Sequence, residues 1–276
     1  TTPKVRTLQR GNSRYYVHPE TGAKVPGVTS VLGMLPKQFL QMWSAKVVAE
    51  YAIEHLGDMV NIVLRGDQKG AIDFLKGAPR RTTAAAAELG TLAHSAFEDI
   101  ANGKSPIVSP DVAPFAQLFR RMLDDTGLKV ELQEETIYSE EHDYMGSFDG
   151  FGEINGKPVF IDYKTTRSGV HAEVALQLAA YRYSEVIISP DGSTRPTPEA
   201  DGGIVVHVRP EGIKVVEVDC DREVFEFFKH LRHTFRWVDG KEREVIAAVP
   251  AYSLDYETLA ADLKPAPRRG RRTVAA

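Results

Sequence analysis

The feature that most restricts the fold is the pair Asn155-Gly156 inside DGFGEINGKPVFIDYKTT, residues 149–166. A two-residue type I′ turn needs positive φ at both central positions, and Asn-Gly is the strongest short signal for it. The strands leaving such a turn have a fixed register, in which positions equidistant from the turn face each other. Asp149 and Asp162 are equidistant. With no bulge between, they stand directly opposite on one face of a sheet. Alternation outward from Ile154/Lys157 makes them a non-hydrogen-bonded pair, with Cα atoms about 4.5 Å apart. Pro158 also falls on a non-hydrogen-bonded position, where its missing N–H costs this ladder nothing. Lys164 projects on the same face, about 6–7 Å beyond Asp162.

Two like charges directly opposed destabilise a sheet unless something neutralises them. A divalent cation does so, and hard oxygen donors suit Mg²⁺ or Mn²⁺. The competing reading is a solvated hairpin whose lysine offsets two acids. Val159, Phe160 and Ile161 argue against it, because a strand apolar on both faces is a buried strand. Charge at the end of a buried strand is costly unless paired or metal-bound.

The rest of the chain supplies the setting. Residues 14–31 read as a short hairpin around Glu20-Thr21-Gly22, with Thr29 and Ser30 opening a helix. Helical spacing covers Gln38 to His55, Arg80 to Ala101, and Asp111 to Thr126, the last closed by Gly127. Strands are expected at Lys129–Tyr138, Tyr144–Ile154 and Val159–Thr165, forming a three-strand meander. A helix from Ala172 to Ile188 and a polar loop follow. Ile204–Arg209 and Lys214–Val218 then form a hairpin, and Asp221–Trp237 closes as a helix capped by Asp219 or Asp221. This order predicts an α/β fold with a mixed central sheet flanked by helices and a helical N-terminal region.

Composition narrows the setting further. Within 276 residues, 42% are hydrophobic, enough for a sizeable core. No apolar run is long enough to span a bilayer, and no secretory-type segment is visible, so no membrane partner is expected. The single cysteine, Cys220, excludes an internal disulfide and any all-cysteine metal or iron–sulfur site, and a cytoplasmic location is expected. The net charge of -4 conceals a basic tail, KPAPRRGRRTVAA, with five basic residues and no acids. Without it the body holds 29 basic against 38 acidic residues, a net of -9. Such a tail is either solubilising or a nucleic-acid contact.

Two further pairs lie four residues apart and so share helix faces: His94 with Glu98, and Gln177 with Tyr181. Neither is specific alone. Together, G-x-x-x-H (Gly90 to His94), G-x-x-D (Gly146 to Asp149), D-Y-K-T (Asp162 to Thr165) and Q-x-x-x-Y (Gln177 to Tyr181) resemble the RecB-type branch of the PD-(D/E)XK nuclease superfamily. The four motifs occur in that family's order, and the resemblance spans Thr29 to Thr234. Its loosest part is the Thr29/Ser30 segment, and Phe148 stands where proline often precedes the first aspartate.

The resemblance implies a restriction-endonuclease-like core over 128–239. It also implies an N-terminal region, 1–127, that contributes His94, and a C-terminal extension, 240–276. His94, Asp149, Asp162 and the backbone carbonyl of Tyr163 would hold Mg²⁺ or Mn²⁺. Glu98 would stand just outside them. Lys164 would position or deprotonate the attacking water, and Gln177 would orient Lys164 or that water. Tyr181 would contact the DNA strand. Arg167, Arg268, Arg269, Arg271 and Arg272, with Arg80 and Arg81, are the candidate phosphate contacts.

The activity implied is metal-dependent hydrolysis of DNA, linear duplex or single strand. An exonuclease is favoured over an endonuclease, in phage or bacterial recombination and repair, with a recombinase or single-strand-annealing protein as partner. No iron–sulfur cluster is expected. No P-loop is present, so no nucleotide cofactor is expected. The alternatives are a catalytically silent nucleic-acid-binding subunit of the same fold and an adaptor whose acidic hairpin is only a solvated surface. Because every motif position is filled, the silent subunit is disfavoured.

Overall fold

The computed structural model describes residues 3–246 and 252–262. Strands β1 (Thr7–Arg10), β2 (Ser13–Val17) and β3 (Lys24–Pro26) form a small antiparallel sheet. Helices α1 (Val28–Leu32), α2 (Gln38–Glu54), α3 (Leu56–Leu64), α4 (Gln68–Lys76), α5 (Ala78–Ala101) and α6 (Ala113–Thr126) follow. Next come strands β4 (Lys129–Gln133), β5 (Thr136–Ser139), β6 (Tyr144–Ser147), β7 (Gly150–Ile154) and β8 (Lys157–Lys164). Helix α7 (Glu173–Arg182) leads to β9 (Val186–Ile188), β10 (Thr194–Pro196), β11 (Gly202–Arg209) and β12 (Gly212–Val218). Helix α8 (Arg222–Asp239), a 3-10 turn (Lys241–Arg243) and α9 (Tyr256–Asp262) complete the described elements. Two compact units divide the chain, Thr1–Phe235 and Arg236–Ala276. The candidate site lies wholly in the first.

The central sheet is mixed, in the order β12-β11-β8-β7-β4. Strand β8 lies in its middle, antiparallel to β7 and parallel to β11. A parallel neighbour requires a crossover, and α7 is part of it. Asn155 and Gly156 both have positive φ, 51° and 77°, as the type I′ turn demands. From Ile154↔Lys157 to Gly150↔Ile161 the hairpin runs without a bulge.

The register explains the core. Phe160 joins the cluster built with α7 and α8, among Phe148, Leu178 and Phe228. Val159, Ile161 and Tyr163 join the cluster on the opposite face, with Phe97 of α5 and Phe119 of α6. Burying a side chain of this size contributes about 1.5–3 kcal/mol, so both faces hold the strand firmly. Asp162 shares the Phe160 parity, which turns it toward α7.

The first two strands of the expected meander, Lys129–Tyr138 and Tyr144–Ile154, prove to be one long bent hairpin shared between two sheets. Its outer half, β5 and β6, pairs in a second sheet of order β10-β9-β5-β6, while β4 and β7 stay in the central one. The break falls at Glu134, with φ of 53°, opposite Asp149, where the Glu134 N–H donates to the Asp149 carbonyl. Apolar alternation on both sides of the break hid it. The helix expected over Ala172–Ile188 ends at Arg182, and Val186–Ile188 pairs with β5 instead. Its β-branched residues suit a pleated surface better than a helix. The expected polar loop contains β10, paired with β9. Helices α3 and α4 occupy a stretch for which no element was expected. At α8, Asp221 accepts the Val224 N–H at 2.9 Å, the capping bond expected of it.

Candidate active site

Asp149 sits in the bend between β6 and β7, so its side chain reaches across the mouth of the central sheet. Its Oδ2 accepts the backbone N–H of Tyr163 at 2.8 Å. Its Oδ1 lies 3.8 Å from His94 Nδ1, with both side chains mostly buried. Asp162, 1% exposed, stands next along β8. Lys164 Nζ lies 2.8 Å from Asp162 Oδ1 and 2.7 Å from Oδ2, and only the Oδ1 contact has hydrogen-bond geometry. From α7, Gln177 Nε2 donates to Asp162 Oδ1 and to the Tyr181 hydroxyl, each at 3.0 Å. The Tyr181 O–H donates to the Ser147 carbonyl at 3.1 Å.

These groups line one cavity of about 190 Å³ with Arg14, Tyr16, Val28, Thr29 and Gly146. Gly146 is required by its neighbours: a Cβ there would lie 2.7 Å from the Tyr181 ring and 2.8 Å from Val28. This is the physical content of the glycine in G-x-x-D. Likewise Gly90 leaves room for Thr165, which a Cβ would approach to 3.1 Å.

The electrostatics follow from burial. Burial raises the Asp162 carboxyl to about 6, with Asp149 adding to the rise and Lys164 opposing it. For Lys164, burial pulls downward, but Asp162 and Asp149 more than offset it and the ammonium titrates above its ordinary value. Burial lowers His94, and Asp149 only partly restores it. The histidine is therefore held neutral, the form that ligates a cation.

The donor set can be tested against a divalent ion. His94 Nδ1 is buried with no hydrogen-bond partner, and it faces Asp149. An unsatisfied buried nitrogen beside carboxylates is what a cation would complete. A mixed nitrogen and oxygen set suits Mn²⁺ more than Mg²⁺, which favours oxygen and water. No cluster of three or more such side chains forms a ready-made cage among the described residues.

The remaining candidates divide. Tyr181, expected at a DNA strand, is 2% exposed and forms part of the wall. Gln177, expected to orient Lys164 or water, donates to Asp162 Oδ1, the oxygen that also accepts from Lys164. Arg167 is exposed, and its carbonyl accepts from Arg209 Nη1 at 3.0 Å. Arg81 is engaged in the helical region, over the Tyr51 and Phe74 rings at 4.7 and 5.1 Å, and donates to the Phe74 carbonyl. Arg268, Arg269, Arg271 and Arg272 lie outside the described residues.

No family model and no curated protein matches the chain. A solved structure titled "Crystal structure of SSO0001" is 15% identical, covering 72% of this chain and 88% of that one, with a TM-score of 0.35. A likeness of that degree carries no argument, so the functional reading rests on the site itself. Among the described residues, no helix is long and apolar enough to cross a membrane.

Arg14, Tyr16 and Ser147 are cavity residues that the motif pattern did not reach. The Tyr16 O–H donates to Ser147 Oγ at 3.2 Å, and Ser147 Oγ shares a 3.0 Å hydrogen bond with Thr136. The sequence signal for Arg14 and Tyr16 was alternation in β2, which places them on one face.

Proposed function

We propose that the chain is a divalent-metal-dependent DNA nuclease with a restriction-endonuclease-like core, of the RecB-type PD-(D/E)XK branch, acting as an exonuclease on linear DNA. The observation that carries this reading is the meeting of His94, Asp149, Asp162 and Lys164 on one cavity. His94 arrives from α5, and the other three from a hairpin much later in the chain.

His94, Asp149, Asp162 and the Tyr163 carbonyl would hold Mn²⁺ or Mg²⁺, which supplies Lewis acidity toward a phosphoryl oxygen. Lys164, cationic and 31% exposed, orients the attacking water and offsets charge that builds on the phosphate. Gln177 fixes Asp162, and Tyr181 fixes Gln177, so the carboxylate meets the substrate in one orientation. The enzyme would work in the cytoplasm of a bacterial or phage-infected cell, with a recombinase or strand-annealing protein as partner.

The test uses purified protein with end-labelled linear DNA and closed circular DNA, in Mn²⁺, Mg²⁺ or EDTA, with Lys164→Ala alongside. Metal-dependent loss of linear DNA alone is expected, reduced about 10²–10⁴-fold in Lys164→Ala. Cutting of the circle would make it an endonuclease. Binding without cutting by both proteins would favour the silent subunit.

A further inference from the structure

Two cationic side chains, Lys164 and Arg14, line the cavity. Lys164 is held by Asp162, whereas Arg14 is in no ion pair among the described residues. A guanidinium outside any ion pair at a cavity is a ready phosphate receptor, because its planar fork matches two phosphate oxygens at once.

Arg14 is exposed, yet its backbone is firmly fixed. The Arg14 N–H donates to Ser30 Oγ at 2.7 Å, and Ser30 Oγ donates back to the Arg14 carbonyl at 3.0 Å. The Gly27 N–H donates to the same carbonyl at 2.9 Å. Tyr15 beside it is buried in the core, which turns Arg14 and Tyr16 to the opposite face. The Tyr16 hydroxyl is tied to Ser147, and the nearby Arg14 charge opposes the upward push of burial on that hydroxyl. Binding groups that are already positioned lose less entropy when the ligand arrives.

Size points the same way. Pockets that enclose a drug-sized ligand run about 300–1,000 Å³, whereas this one is about 190 Å³. It has room for a phosphate group and an ion, so the contact there would be to the strand's backbone.

We propose that Arg14 binds a phosphate of the DNA strand in this cavity and sets its position against Lys164. The inference rests on the nuclease reading and adds to it a positioning residue from the N-terminal sheet. Ser30 then acts by holding Arg14, which gives the Thr29/Ser30 segment a role.

The experiment compares wild type, Arg14→Gln, Arg14→Lys and Lys164→Ala. DNA binding is measured by fluorescence anisotropy in EDTA across a salt series, and initial rates in Mn²⁺. The probes are a linear duplex with a 5′-phosphate, the same duplex with a 5′-hydroxyl, and a closed circle. Arg14→Gln is expected to raise Kd and KM about tenfold or more, and to lower the slope of log K against log salt by about one. Arg14→Lys recovers part of the affinity, and both Arg14 variants keep the wild-type rise of Tm on adding Mn²⁺. Loss confined to 5′-phosphorylated ends assigns Arg14 to a terminal phosphate, and equal loss on all probes assigns it to an internal one. Wild-type affinity, slope and KM in Arg14→Gln, with Lys164→Ala inactive, would overturn the Arg14 site and leave the nuclease reading standing. A wild-type protein that neither binds nor cuts DNA would overturn both.

Discussion

The two faces of the central sheet bring polar groups to the same cavity in opposite states. On the α7 face, Gln177, Asp162, Lys164, Tyr181 and Ser147 form a linked chain of hydrogen bonds. On the α5 face, His94 Nδ1 stands 3.8 Å from Asp149 with no hydrogen bond. A satisfied network rigidifies, while an unsatisfied group costs stability until something binds it. The first face holds Asp162 and Lys164 in one orientation, and the second leaves a buried nitrogen open beside Asp149.

The largest expected effect tests whether the α5 face is held by packing alone. Phe97 lies 4.5 Å from the Phe119 ring and 5.5 Å from that of Tyr163, behind His94. Phe97→Ala is expected to cost about 3–5 kcal/mol in urea unfolding. It should also weaken the Mn²⁺ response, because it loosens the helix that presents the histidine.

Next comes the charge stored on the α7 face. The Asp162 carboxyl titrates near 6, above the ordinary 3.8, so the folded metal-free protein binds this proton more tightly than the unfolded chain. The contribution is fully present below about pH 4 and is lost as pH rises through about 6. Subtracting the pH–stability curve of Asp162→Asn from that of wild type should leave this slope. A flat difference would mean that Lys164 fully neutralises the carboxylate.

A smaller effect is expected at Gln177, which bridges the linked groups. Gln177→Ala removes donors from Asp162 and Tyr181 and should cost about 1–3 kcal/mol by thermal unfolding, with or without metal. His94→Ala should be the mildest in metal-free protein, about 1 kcal/mol, because its Nδ1 gives up no hydrogen bond. Its signature is loss of the Mn²⁺-dependent rise in Tm. Equal metal responses in His94→Ala and wild type would erase the contrast between the two faces.

How much of this was legible depends on the range of the interaction. The Asn155-Gly156 turn is local, so the β7–β8 register and the meeting of Asp162 with Lys164 could be read by counting. The alanine-rich α5 and the glycine after α6 are equally local. The break at Glu134 and Asp149 was hidden, because it is imposed by the partners of β5 and β7, which lie in different sheets. Strand β9 was masked by the apolar run that continues from α7. Arg14 was out of reach for a related reason: only the pairing of β2 and the Ser30 bonds bring residues 14 and 164 to one cavity.

The cavity also dictates what could block it. At about 190 Å³, walled by a guanidinium, an ammonium and two carboxylates, it offers little for a large apolar inhibitor to grip. A fragment of a few heavy atoms, anionic at one end and metal-chelating at the other, matches its walls better. Such tiny ligands reach at best about 1.5 kcal/mol per heavy atom. Useful potency would therefore come from growing the fragment outward along the rim beside Arg14.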